Sequence, residues 1–259
     1  MTPGPPVGKE RGRLRPVPEY DATSYGEIWA PIYDDIHAEL DDADPMVAFL
    51  AARAGVGPVL EFAAGTGRVA IPLAHRGLEV HGIDSSPAML ARLIERAHWL
   101  PVVEGDMAST RAARDDFTLV FVVASSLFLV LDQDAQIACF ANAAAHLQPG
   151  GRFVVHAFVP DLSRFVDDRH SSPVAIDDAA VRLEASVHDP VAQVVRSQHL
   201  RMTTTGLEMR PVTVRYAWPS ELDLMARLAG FTLEERFGGF AEQPFDRWSP
   251  YHVSVYLKP

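Results

Sequence analysis

The sequence predicts an α/β protein built on a parallel sheet, and three features point there. A short apolar run, Val59, Leu60 and Phe62 with Glu61 set inside it, leads straight into a small-residue turn, Ala63-Ala64-Gly65-Thr66-Gly67. A helical stretch follows and ends at Arg76-Gly77, and a second apolar run, Glu79 to Ile83, stops at Asp84. Strand, glycine turn, helix, strand and acid make half of a nucleotide-binding α/β unit. Further on, Phe117 to Ala124 is a continuous apolar run suited to a central parallel strand buried on both faces.

Length and composition narrow the class. The 259 residues suit one α/β domain with embellishments, and nearly half are apolar, enough for a sizeable core. No apolar run is long enough to span a bilayer. The first twenty residues carry basic side chains with no apolar stretch behind them, so they are not a secretory signal, and a soluble cytoplasmic protein is expected. Cys139, the one cysteine, excludes an internal disulfide and any multi-cysteine metal site, and its helical neighbourhood assigns it to packing. A net charge of -11 argues against nucleic-acid binding, which needs clustered lysine and arginine. Arg11, Arg13 and Arg15 read as part of a solvated arm.

The elements follow in order. Residues 1–18, rich in proline, glycine and arginine, are expected to be a disordered tail. In residues 19–57, Tyr25, Trp29, Ile32, Tyr33 and Ile36 space as an amphipathic helical segment interrupted at Pro31, and Asp44-Pro45 reads as the cap and first residue of a helix ending at Gly55. Residues 58–160 hold the core: Ser86 caps a helix opening at Pro87, Leu100 to Val103 is a short third strand, a helix spans Asp134 to Leu147, and a fifth strand runs from Arg152 to Phe158. Residues 161–218 change character, with three β-prone runs separated by turns at Asp189-Pro190 and Thr205-Gly206, read as an antiparallel insertion after the fifth strand. Residues 219–259 supply a helix from Ser220 to Ala229 and two closing strands. Exposed edges of the inserted sheet leave pairing of copies into a homo-oligomer open.

Two cofactor classes fit the glycine turn. Gly65-Thr66-Gly67-Arg68-Val69-Ala70 satisfies the dinucleotide fingerprint G-x-G-x-x-A, with Asp84 near the expected distance. Glu61 argues the other way, since a carboxylate at the tip of the first strand repels a pyrophosphate and favours a cationic ligand. The ammonium and sulfonium of S-adenosylmethionine are such groups. An NAD(P)-dependent oxidoreductase and a non-catalytic S-adenosylmethionine-binding protein are the alternatives.

The ordered set Glu61-Phe62-Ala63-Ala64-Gly65-Thr66-Gly67, Asp84-Ser85-Ser86-Pro87-Ala88-Met89-Leu90, Asp106-Met107 and Leu147-Gln148-Pro149-Gly150-Gly151-Arg152-Phe153 resembles the class I S-adenosylmethionine-dependent methyltransferases. Ala63 stands where the commonest form has a glycine. The resemblance implies a Rossmann-like seven-stranded methyltransferase core, with an N-terminal helical lid over the cleft and a last strand antiparallel to the rest. It implies Glu61 near the methionine amino group, Gly65, Thr66 and Gly67 as the backbone cradle, Asp84 on the ribose, and Ala63, Arg68, Ser85 and Met89 among the other cofactor-binding residues. Asp106 and Met107 fall at the adenine, and Ala124 closes the fourth strand beside the cofactor.

Methyl transfer from a sulfonium is an in-line displacement, in which holding the nucleophile and excluding water do much of the work. An amine needs only its neutral form, whereas a hydroxyl benefits from a general base. His156, near the carboxyl end of the fifth strand, is the best-placed base, and a hydrogen-bonded structural role is equally open to it. Ser126 and Phe128 leave the end of the fourth strand, where open α/β sheets bind ligands. Tyr25, Trp29 and Tyr33 are expected to line the acceptor side, with Tyr25 and Tyr33 offering ring faces to an ammonium-forming nitrogen. No Asn-Pro-Pro-Tyr tetrapeptide follows the fourth strand, and Asp132 and Asp134 read as a helix start, so a small-molecule acceptor and no metal are expected. The arrangement is similar to natural-product tailoring N- and O-methyltransferases, with the acceptor atom left open.

Overall fold

The computed structural model describes residues 20–38 and 43–259. The tail expected over residues 1–18 lies outside the described residues. Two short helices, α1 (Ser24–Trp29) and α2 (Tyr33–Ala38), are separated at Pro31, as its missing amide and fixed ring demand. Helix α3 (Ala43–Ala54) opens one residue before the expected Asp44 cap.

The core then alternates strand and helix: β1 (Val59–Phe62), α4 (Ala70–His75), β2 (Val80–Asp84), α5 (Pro87–Ala97), β3 (Val102–Glu104), β4 (Phe117–Val122), α6 (Gln133–His146) and β5 (Leu147–Phe158). Local chemistry fixes the helix starts. The Ser86 hydroxyl accepts from the Met89 amide at 3.2 Å with Pro87 in the first turn, and Asp132 accepts from the Ala135 amide at 2.9 Å. The expected break at Pro149-Gly150 does not separate helix from strand. Instead β5 begins at Leu147, because the Gly150 amide donates to the Lys258 carbonyl and the Lys258 amide to the Gly151 carbonyl.

After β5 come β6 (Arg169–Ile176), β7 (Ala180–Asp189), β8 (Val194–Thr203) and β9 (Gly206–Arg215), then α7 (Pro219–Leu228), β10 (Thr232–Phe237) and β11 (Tyr251–Leu257). The insertion therefore has a fourth strand, β6, beyond the three the sequence suggested. Its Arg-His-Ser-Ser-Pro stretch has no apolar alternation, and Pro173 is accommodated because β6 lies at the sheet edge.

The main sheet has the order β10-β11-β5-β4-β1-β2-β3, and β11 alone runs antiparallel to its neighbours. Strand order reverses at β1, which pairs with β2 on one side and β4 on the other, so the ligand crevice opens at their carboxyl ends. Both faces of the sheet are covered. Phe62, Phe117 and Phe153 pack under α6 and α7, against Phe140 and the fully buried Cys139 of α6. On the other side Leu50 of α3, Leu73 of α4 and Leu93 of α5 pack down with Phe121 of β4.

A buried polar clasp docks the inserted sheet onto the core. The Gln136 amide nitrogen donates to the carbonyls of Val130 and Arg215, each at 2.9 Å, and its oxygen accepts from the Arg215 guanidinium at 2.6 Å. Arg215 continues to Glu221 at 2.8 Å.

Candidate functional site

The crevice at the switch point is a concave cleft, the usual place for a ligand in an open α/β sheet. Four segments build it. The glycine turn contributes Ala63 and Gly65; the end of β2 contributes Asp84, Ser85 and Met89; Gly105, Asp106 and Met107 follow β3; and Ser126, Leu129 and Val130 follow β4. Tyr25 and Tyr33 close it from α1 and α2.

Backbone geometry explains the turn. Ala63 and Gly65 both adopt a φ of 57°, so the chain doubles back and presents amides rather than side chains. A Cβ on Gly65 would meet nothing nearer than 4.0 Å, and the space above the turn is open to a ligand. Gly105 differs, because a Cβ there would lie 2.1 Å from the Thr110 hydroxyl.

Asp84 is 8% exposed, and each carboxylate oxygen already holds a backbone amide, Gly65 at 2.7 Å and Ser86 at 2.8 Å. Burial raises its pKa and these two amides oppose the shift. One acceptor site on each oxygen remains for paired hydroxyls. Asp106 accepts the Ala108 amide at 2.8 Å and so holds its carboxylate at the cleft.

Glu61 is 3% exposed, and its Oε2 has no hydrogen-bond partner. Burial pushes its carboxyl well above the ordinary range, against the pull of Arg68 and the Ala70 amide. A buried, under-satisfied carboxylate at the end of β1 is matched by a cationic ligand group. The methionyl ammonium of S-adenosylmethionine has that charge, and the hydroxyl-binding Asp84 and open turn suit its ribose. The residues present fit the cofactor.

The N-terminal helices are latched over this cleft by carboxylates that the sequence reading missed. Glu27 accepts from the Ser86 hydroxyl at 2.8 Å and the Ala88 amide at 3.1 Å. Asp34 accepts from the Thr66 hydroxyl at 2.7 Å and ion-pairs with Arg96 and Arg92. The Ser85 hydroxyl donates to the Ala22 carbonyl at 2.7 Å. Glu27 and Asp34 sit seven residues apart among the aromatic positions, and that spacing was the one available hint.

Several predicted residues lie behind the lining rather than in it. Trp29 stacks on Tyr25 with ring centroids 5.7 Å apart and donates to the Pro211 carbonyl of β9. Phe128 is fully buried in the core against Phe158. Arg68 hydrogen-bonds Tyr33. His156 packs between Phe240 and Tyr251, and its Nδ1 accepts the Ala124 amide at 3.1 Å. Ala124 and Ser125, at φ of 55° and 62°, form the sharp turn that delivers Ser126 to the cleft. Among the described residues no group of three or more metal-ligating side chains is assembled, and no helix is long and apolar enough to cross a membrane.

This sheet order, with a glycine turn after β1 and acids closing β2 and following β3, is that of the class I S-adenosylmethionine-dependent methyltransferases. Residues 59–151 match a family model described as a methyltransferase domain. The CcbJ methyltransferase of Streptomyces caelestis superposes with a TM-score of 0.86 at 41% identity, over 92% of this chain and 98% of that one. The chain belongs to the S-adenosylmethionine-dependent methyltransferase family and is an enzyme of that class. It is also similar to the cypemycin N-terminal methyltransferase of a Streptomyces species, 26% identical over 87% of this chain and 94% of the relative. The amino pentose methyltransferase CalS10 of Micromonospora echinaspora, solved with S-adenosylmethionine bound, shares the fold at a TM-score of 0.70 and 21% identity, over 88% of this chain and 97% of that one.

Proposed function

We propose that the chain methylates an amine nitrogen of a small-molecule acceptor in natural-product biosynthesis. The observation that carries nitrogen over oxygen is the acceptor wall itself. Tyr25 and Tyr33 line the cleft with Ser126, Leu129 and Val130, and His156, the general base a hydroxyl acceptor would use, is not among the lining residues. Protonated phenols are hydrogen-bond partners and π-faces for an amine, which needs only its neutral form to react. The names of the cypemycin and CalS10 enzymes, an N-terminal and an amino pentose methyltransferase, support the same reading.

When bound, S-adenosylmethionine supplies an electrophilic methyl on sulfur. Glu61 would receive its ammonium, the Ala63–Gly67 turn would cradle it, Asp84 would take the ribose hydroxyls, and Asp106 with Met107 would border the adenine. Tyr25 and Tyr33 orient the acceptor nitrogen and exclude water. His156 acts as a positioning residue, holding the Ala124 amide and with it the turn that carries Ser126.

Mass-spectrometric turnover with a panel of small secondary amines and matched phenols tests the reading. Methylated amines with unreacted phenols are expected. Methylation of phenols alone would overturn the nitrogen assignment.

A further inference from the structure

The connection from β3 to β4 has no helix or strand of its own, yet Gly105, Asp106 and Met107 within it line the cleft. Such a segment holds one conformation only if contacts offset the entropy of ordering it. Inside the loop, the Ser109 and Thr110 amides donate to the Asp106 carbonyl at 3.1 and 2.8 Å, and Thr110 packs over Gly105 with no room for a Cβ. The carbonyls of Met107 and Thr110 are both taken by one side chain of α6, the buried Asn142, whose amide nitrogen donates to each at 2.9 Å. Arg111 donates to the Asn142 Oδ1 at 3.2 Å. With carbonyls at one end and a guanidinium at the other, the amide has a single orientation.

One helical turn further on, the fully buried His146 holds the end of the loop. The Ala112 amide can only donate and lies 2.9 Å from Nε2, so Nε2 accepts and the ring proton sits on Nδ1, which donates to the Asn142 carbonyl at 2.8 Å. Burial, then the Arg111 charge, lowers the His146 pKa against the pull of the Asn142 carbonyl and Asp115, which keeps the ring neutral. The rings of Phe62 and Phe117, each with its centroid 6.0 Å away, enclose it.

We propose that Asn142 and His146 are positioning residues for the adenine, clamping the loop so that Asp106 and Met107 meet the base and read its amine. The inference rests on the placement of S-adenosylmethionine in this cleft. One oxygen of Asp106 accepts the Ala108 amide, and a carboxylate anchored in this way is an acceptor for an exocyclic amine. A carbonyl in place of that amine sets oxygen against oxygen. Neither Asn142 nor His146 lines the cleft, so both act on the ligand through the loop alone. Gln136 of the same helix docks the inserted sheet, so α6 braces the adenine loop and the insertion together.

Calorimetric titration of the full chain with S-adenosylhomocysteine and with S-inosylhomocysteine, in which a carbonyl replaces the adenine amine, tests this in the parent and in Asn142→Asp. The substitution keeps the shape of the side chain and removes both donated hydrogen bonds. The parent is expected to prefer S-adenosylhomocysteine by at least about tenfold. In Asn142→Asp its affinity should fall about tenfold and that of S-inosylhomocysteine by no more than about twofold, so the preference collapses. A merely structural Asn142 would leave the preference intact. A variant with the parent's circular dichroism whose two affinities are unchanged, or fall together, overturns the proposal. Should Asn142→Asp fail to fold, Arg111→Ala at an exposed side chain carries the same test. The preference should then narrow about threefold, and an unchanged one overturns the proposal. A parent that binds the two ligands equally would instead overturn the adenine placement beneath it.

Discussion

At Ala63 a non-glycine residue occupies a left-handed turn, with φ at 57°. The Cβ costs about 1 kcal/mol there, and glycine would return part of that through its freer unfolded chain. Ala63→Gly should therefore raise stability in urea titration by up to about 1 kcal/mol. Glu61 makes a sharper prediction. Its folded pKa is raised, so the folded chain keeps a proton that the unfolded chain releases. Its contribution is fully present below the ordinary carboxylate range and is lost as pH rises through the raised folded value. Ligand-free Glu61→Gln should match the parent in melting temperature near pH 4 and exceed it at pH 8, while binding S-adenosylhomocysteine more weakly. Equal pH slopes in the two proteins would contradict this. Tyr25→Phe or Tyr33→Phe should cut kcat/KM for the acceptor about tenfold, with cofactor affinity held. Asp84, Asp106 and the glycine turn were legible in sequence because their motif is local. His156 was placed correctly near the end of β5 and Phe128 in the turn that follows β4, but periodicity could not say which way those side chains turn. Val155 and Ala157 join one core, whereas His156 points to the side of Phe240 and Tyr251.

Helices α1 and α2 depend on remote carboxylate contacts, being too short to be stable alone. Glu27 and Asp34 tie them to α5 and the glycine turn, so ligand exchange requires these latches to open. Glu27→Gln with Asp34→Asn should speed amide hydrogen exchange over residues 24–38 and raise the S-adenosylhomocysteine dissociation rate about tenfold. Unchanged exchange would mean that aromatic packing of Tyr25 and Trp29 alone holds the lid. Core elements were readable because caps such as Ser86 and Asp132 and breakers such as Pro31 act within a few residues. The latches were not, since Glu27 meets Ser86 across 59 residues and Asp34 meets Thr66 across 32. Strand β6 escaped for a related reason: its pairing with β7, rather than its own composition, makes it a strand.

Across the whole molecule, the carboxyl-terminal strands close the sheet around a buried polar network. His252 is fully buried and shares a hydrogen bond with Ser254, which also accepts from Arg236, itself paired with Asp223. Burial, with repulsion from Arg236 and His156, brings the His252 pKa down to about 3. The unfolded chain then binds the proton that the folded chain refuses. This contribution to stability is lost as pH falls from about 6.5, the ordinary histidine value, towards 3, at no more than about 1.4 kcal/mol per pH unit. His252→Gln should flatten that part of the curve in calorimetry. Parallel parent and variant curves would remove His252 from the acid response.

The most direct measurement of the central claim is calorimetric titration of S-adenosylhomocysteine into the parent and into Asp84→Ala. Micromolar binding to the parent and a loss of about a hundredfold or more in the variant are predicted, because a buried carboxylate pairs with two hydroxyls. Equal affinity in the two proteins would contradict the placement of the cofactor in this cleft.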